Sequence, residues 1–132
     1  MRVTECVFCQ KIARGEIVAE GERSVAFADA HPLTPGHLLI VPTRHVARLL
    51  ELSRDEVADL WLLAIGLADR NTEQWGTADF NIGLNEGPLA GQTIGHVHLH
   101  LIPRRAGDVT EARGGIRWII PERAAYWRRP SG

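Results

Sequence analysis

The sequence predicts an α+β domain built on an antiparallel sheet. Three observations carry that prediction. Strands and helices are interspersed without a regular βαβ rhythm. Residues 95–105, GHVHLHLIPRR, alternate imidazole and aliphatic side chains with the period of a strand. One long helical pattern opens at Ser53, where Ser53 and Glu56 form a capping box.

Length and composition bound the answer. A chain of 132 residues is one domain's worth and can bury a core without disulfide staples. The 15 basic and 16 acidic side chains leave a net charge of −1, so nothing suggests nucleic acid as a partner. No apolar run approaches the ~20 residues of a membrane span, so no membrane partner is expected. The first ten residues lack a signal-peptide core, and a cytoplasmic protein is expected. The only cysteines are Cys6 and Cys9. In a reducing compartment that spacing favours a metal or redox role over a structural disulfide.

The elements follow in order. Residues 6–14 predict a short helix stopped by Gly15. Residues 17–20 and 24–28 predict two strands joined at Gly21-Glu22. Residues 29–36, DAHPLTPG, are a loop punctuated by Pro32, Pro35 and Gly36. Residues 37–41, HLLIV, form an apolar run of strand length, and 43–52 a loop with a short helix. The helix from Ser53 carries Val57, Leu60, Trp61, Ala64 and Ala68 at helical spacing and is expected to end near Trp75-Gly76. Residues 79–84 predict a strand. Residues 85–94, NEGPLAGQTI, are a glycine-rich loop whose N–H groups could meet an anion. Residues 116–120 predict a last strand, and 121–127 a short helix with proline at its first position.

The histidine strand carries the chemistry. His96, His98 and His100 share one face, with neighbours roughly 6.5–7 Å apart. Three imidazoles so spaced can act together on one small anionic group or one metal ion.

The run His96-Val97-His98-Leu99-His100-Leu101-Ile102 resembles the defining motif of the histidine triad (HIT) superfamily. Residues 27–45, FADAHPLTPGHLLIVPTRH, and 85–93, NEGPLAGQT, resemble its other half-site and its phosphate loop. The resemblance spans residues 1–108 of a single 1–132 domain, with 109–132 a variable tail. The ending IPRRAGD is similar to the bacterial Hit and Fhit-like branches. This resemblance implies a HIT-like fold: a sheet of about five strands, one long helix, one or two short ones, and a homodimer whose sheets join into one.

The resemblance further implies a nucleotidyl hydrolase or transferase acting at the α-phosphate of nucleotide conjugates such as dinucleoside polyphosphates or nucleoside phosphoramidates. The substrate would be a purine nucleotide, with adenosine favoured. His98 would be the nucleophile, since a neutral imidazole attacks phosphorus and leaves it readily at pH 7. His100 would hold a phosphate oxygen or protonate the leaving group, His96 would set orientation, and His37 would support the cluster. Asn85, Gly91, Gln92 and Thr93 would meet phosphate oxygens, Asp29 the ribose hydroxyls, and Phe8, Ile12 and Phe27 the base. Cys6, Cys9, His45 and His96 would form a closed structural zinc site, because four protein ligands leave no place for water. No organic cofactor is expected. Two further readings stay open: a catalytic zinc held by the three histidines, and a nucleotide-binding adaptor without turnover.

Overall fold

The computed structural model describes residues 3–128. Five strands form one antiparallel sheet: β1 (Ala19–Glu20), β2 (Ser24–Ala28), β3 (Leu38–Pro42), β4 (Phe80–Gly83) and β5 (Leu99–Pro103). Their spatial order is β1-β2-β3-β5-β4, so β1 and β4 are the edges.

Both faces of the sheet's centre are covered. On one lies α2 (Arg54–Arg70), whose Leu60, Ala64, Leu67 and Ala68 pack with Ala26, Leu38, Ile40, Val97, Leu99 and Leu101. On the other lies α1 (Val7–Ala13), whose Phe8 packs with Val25, Phe27, Leu39 and Val41. Two-sided burial explains why β3 is apolar throughout while β5 alternates. The two strands differ in which neighbour meets the α1 face: aliphatic side chains on β3, imidazoles on and just before β5.

The capping box at Ser53 is present, with Ser53 Oγ accepting from Glu56 N and Glu56 Oε1 accepting from Ser53 N. The helix expected to run to Trp75 instead divides. Asn71 Nδ2 donates to Leu67 O at 2.7 Å and its backbone leaves helical geometry, so a separate turn, α3 (Thr72–Trp75), follows before Gly76 caps it in the left-handed region. The first strand is two residues rather than four.

The strand expected over 116–120 is not one. Gly115–Ile119 is a 3₁₀ helix, entered through Gly114 and Gly115 with positive φ, and it continues into α4 (Pro121–Ala124). Its apolar residues face outward, with Ile116, Ile119 and Ile120 exposed, so the run that reads as strand has no sheet neighbour to pair with. The last four residues of the expected tail lie outside the described residues. No helix among the described residues is long and apolar enough to cross a membrane.

Candidate active site and metal centre

The histidine run enters the sheet late. Ladder pairing starts at Leu99, and His96–His98 form its approach, held by Val97 N donating to Val46 O at 2.8 Å. The alternation survives regardless. Val97, Leu99 and Leu101 are buried against α2, which turns the three imidazoles to the α1 face.

His98 lies between Phe8 and His100, with ring centroids 5.1 and 5.4 Å away. Its Nδ1 is 2.8 Å from the backbone oxygen of His96. A carbonyl only accepts, so Nδ1 carries the proton and Nε2 is left as a lone pair. That is the tautomer a nucleophile needs.

His100 is paired across β3 with His37, which is buried at the strand's start; His37 Nε2 is 2.9 Å from His100 Nδ1. Asp29 Oδ2 lies 3.4 Å from His37 Nε2 and 3.9 Å from His100 Nδ1. The other oxygen, Oδ1, accepts from His31 N at 2.8 Å and closes an Asx-type turn. Burial lowers the pKa of His37 below its ordinary value against the pull of Asp29. Burial, with His98 and His37 nearby, does the same at His100. Both are therefore neutral near pH 7.

The glycine-rich loop is braced from within. Gln92 Nε2 donates to Ala47 O and Ile94 O at 2.7 and 3.1 Å, while its Oε1 accepts from Gly87 N at 2.8 Å. The Gln92 amide, expected at a phosphate, is thus fully engaged in the loop. The N–H groups of Ala90, Gly91 and Gln92 also donate within it, so the expected anion cradle is absent at Gly87 and Gly91 in this conformation. Asn85 is half-buried beside Gly91, and Thr93 is exposed. Glu86, which no sequence pattern singles out, accepts from Leu49 N and Arg48 Nε and ties the loop to the segment before α2. Its partners lie 37–38 residues away, so no local signal marks it.

Phe8, Ile12 and Phe27 sit together beside the histidines. Phe8 and Phe27 are buried with ring centroids 5.3 Å apart, and Ile12 packs against their cluster half-buried. Phe8 also meets the edges of His96 and His98.

His96 turns its Nδ1 to the two cysteines and His45. Its Nδ1 lies 3.5 Å from Cys6 Sγ, 3.6 Å from Cys9 Sγ and 3.3 Å from His45 Nδ1, and Cys9 Sγ is 3.3 Å from His45 Nδ1. Tetrahedral zinc with ordinary bond lengths places S···N edges at about 3.5 Å and N···N edges at about 3.3 Å. These four separations match those edges, and all four donor atoms lie within 4.8 Å of one another. His96 Nε2 lies 2.8 Å from Pro42 O, which puts the proton there and leaves Nδ1 free to ligate. Without a cation, burial and the neighbouring Cys6 push the Cys9 thiol up to about 11. A bound zinc would reverse that. His98 belongs to neither cluster of metal-capable groups among the described residues. The three-histidine catalytic zinc is therefore not assembled: His96 turns to the cysteines and His100 to His37.

Residues 10–107 match the family model of the HIT domain. The chain belongs to the HIT domain family. A bifunctional bis(5'-adenosyl)-triphosphatase/adenylylsulfatase of Arabidopsis thaliana is 37% identical over 98 residues, covering 74% of this HIT chain and 54% of the plant protein. An adenosine 5'-monophosphoramidase of Schizosaccharomyces pombe is 38% identical over 103 residues, covering 75% of the chain and 74% of the relative. The chain thus spans about half the length of the plant relative. Among solved structures, a zinc-bound histidine triad family protein from Mycobacterium smegmatis superposes with a TM-score of 0.76 at 31% identity, covering 83% of this chain and 82% of that one.

The tail of this HIT protein folds on itself beside β4. Trp118 Nε1 donates to Arg113 O, the Arg113 guanidinium lies 4.4 Å from the Trp127 ring, and Arg117 lies 4.7 Å from the Tyr126 ring. Gly115 approaches Asn81 of β4. The cleft there is lined by Thr77, Asn81, Arg104, Arg105 and Asp108, and Arg104 is paired with Asp108 and Asn81. Within this chain the tail aromatics pack with these arginines rather than with the histidines.

Proposed function

We propose that this HIT protein hydrolyses adenosine nucleotide conjugates at the α-phosphate, with His98 forming a covalent nucleotidyl intermediate. The observation that carries the reading is the His98 Nδ1–H···O=C bond to His96, which in the neutral tautomer leaves the lone pair of this buried ring on Nε2. Nε2 attacks phosphorus, the bond to the leaving group breaks, and the leaving group departs with the electron pair. Water then cleaves the N–P bond, releasing the mononucleotide and restoring neutral His98. The activities of the two relatives, a bis(5'-adenosyl)-triphosphatase/adenylylsulfatase and an adenosine 5'-monophosphoramidase, support a shared nucleotidyl centre and leave the leaving group open.

The supporting parts follow from placement. His100 holds a phosphoryl oxygen, His37 orients it, and Asn85 and Thr93 meet the remaining oxygens at the loop. Asp29 Oδ2 is the group available to ribose hydroxyls, and Phe8, Phe27 and Ile12 form the apolar wall for the base. Cys6, Cys9, His45 and His96 hold a structural zinc that ties α1 to the approach of β5. When bound, it supplies folding energy and no chemistry. A homodimer is supported by the unpaired edge of β4 and by Leu62 and Ile65, which α2 leaves 66% and 53% exposed.

The test is rapid acid quench with adenylate-labelled diadenosine triphosphate, adenosine phosphoramidate and adenylyl sulfate, followed by peptide mapping. Acid-labile label on His98, and loss of turnover by several orders of magnitude in His98→Ala with nucleotide binding retained, are expected. Label on another residue overturns the mechanism. Tight binding without turnover across the panel makes the protein an adaptor.

A further inference from the structure

His37 has a third polar contact, at the ring nitrogen away from His100 and Asp29. The backbone N–H of Leu33 donates to His37 Nδ1 at 3.0 Å. A backbone N–H cannot accept, so His37 Nδ1 is unprotonated and the proton of the neutral ring sits on Nε2. Nε2–H then points at His100 Nδ1, 2.9 Å away. That nitrogen must accept, so the proton of neutral His100 sits on its own Nε2.

We propose that the Leu33 backbone N–H is a positioning group that sets the tautomers of His37 and His100 in series, so that His100 presents an N–H donor beside the lone pair of His98. Two backbone groups of opposite polarity thereby give two neighbouring imidazoles opposite faces. The His96 carbonyl makes His98 a lone-pair donor, and the Leu33 amide, acting through His37, makes His100 a hydrogen-bond donor. Their ring centroids are 5.4 Å apart. One phosphoryl group spans both: phosphorus meets the lone pair while an oxygen receives the N–H. This rests on the nucleophilic reading of His98, but the tautomers themselves do not depend on it.

The loop that carries Leu33 is fixed by the strand that carries His100. Thr34 Oγ1 donates to Pro103 O at 2.7 Å, and Arg105 Nη1 donates to Pro35 O at 2.8 Å. Gly36 adopts φ +92°, where an added Cβ would lie 2.6 Å from Trp75 Nε1. His37 N closes the turn onto Thr34 O. The Leu33 side chain is 74% exposed, so the residue's contribution is its amide.

The same contact argues against a cation among Asp29, His37 and His100, whose donor atoms also lie close together. A histidine ligating through Nε2 keeps its proton on Nδ1 and donates it to an acceptor. Here Nδ1 of His37 meets a donor.

The experiment is two-bond ¹H–¹⁵N correlation NMR on the full-length, zinc-loaded protein with ¹⁵N-histidine, at a pH where the rings are neutral. The expected pattern is protonation on Nε2 for His37 and His100 and on Nδ1 for His98. Protonation of His37 on Nδ1, or of His100 on Nδ1, overturns the proposal whether or not any conjugate is hydrolysed. Correct tautomers with no turnover overturn only the hydrolase reading. Leu33→Pro removes the N–H, and Leu33→Ala keeps it. The proline variant is expected to mix the His37 and His100 tautomers and to lower kcat by at least about tenfold. The factor should be equal for nitrophenyl and alkylamine leaving groups, because the donor serves a phosphoryl oxygen. Wild-type tautomers and rate in a folded Leu33→Pro protein, or a loss confined to alkylamine conjugates, overturn it. If the proline variant does not fold, the wild-type spectrum decides.

Discussion

Replacing Gln92 by alanine separates a loop brace from a phosphate ligand. The substitution removes three hydrogen bonds and leaves Gly87 N–H, Ala47 C=O and Ile94 C=O without their partner in a half-buried setting. Each neutral bond contributes about 1 kcal/mol net, and more where water cannot reach the orphaned group. The total is about 3 kcal/mol. For a domain of this size that corresponds to a fall in Tm of roughly 10 °C. Gln92→Glu should be no better, because a carboxylate keeps the acceptor for Gly87 N–H but brings no proton to the two carbonyls. Differential scanning calorimetry measures both variants, and steady-state kinetics should show KM rising as the loop loosens. A Tm within about 2 °C of wild type, together with a large fall in kcat, would refute the reasoning and place the amide on the substrate.

Other outcomes are open to measurement. Protein purified without chelators or affinity metals should contain about one zinc per chain by elemental analysis, and Cys6→Ser should lower both zinc content and Tm. Arg44 and the Ser53 backbone hold the Glu56 carboxyl down at about 2, so the folded state binds fewer protons than the unfolded one below about pH 4.5. The stability from this pair is present above about pH 4.5 and is lost as pH falls toward 2, and Glu56→Gln should flatten that part of a Tm-versus-pH curve. Gly36→Ala combines a left-handed backbone with a clash against Trp75 and should cost about 2–4 kcal/mol by urea unfolding. Light scattering at micromolar concentration should give the mass of a dimer, and Leu62→Glu should shift it toward the monomer.

Much of the fold was legible because it depends on near neighbours. The capping box at Ser53 and Glu56 and the stop at Gly76 are local signals. So is the alternation that buries Val97, Leu99 and Leu101 and turns the histidines together. The misreadings have separate causes. Residues 116–120 are apolar enough for a strand, but a strand also needs a partner edge, and Gly114 and Gly115 turn the chain into a 3₁₀ helix instead. The helix from Ser53 divides at Asn71, whose side chain takes a carbonyl of the preceding turn. Gln92 has the composition of an anion ligand, yet one of its acceptors, Ala47, lies 45 residues away.

The sequence by itself determined that imidazoles would line one face near the end of the sheet, and that a cysteine pair stood ready for distant ligands. Spacing alone could not rank the imidazoles, since His96, His98 and His100 look alike along the chain; their separate roles came from the resemblance to the histidine triad superfamily. The tertiary structure supplies the contacts that tell them apart. Cys6, 90 residues from His96, stands 3.5 Å from Nδ1 of that ring, and Pro42 O fixes which nitrogen faces the cysteines. His37, 63 residues from His100, and the Leu33 amide behind it set the proton on the third ring. An imidazole's role depends on which nitrogen holds its proton. That is decided by donors and acceptors within about 3 Å in space, whatever their distance in the chain.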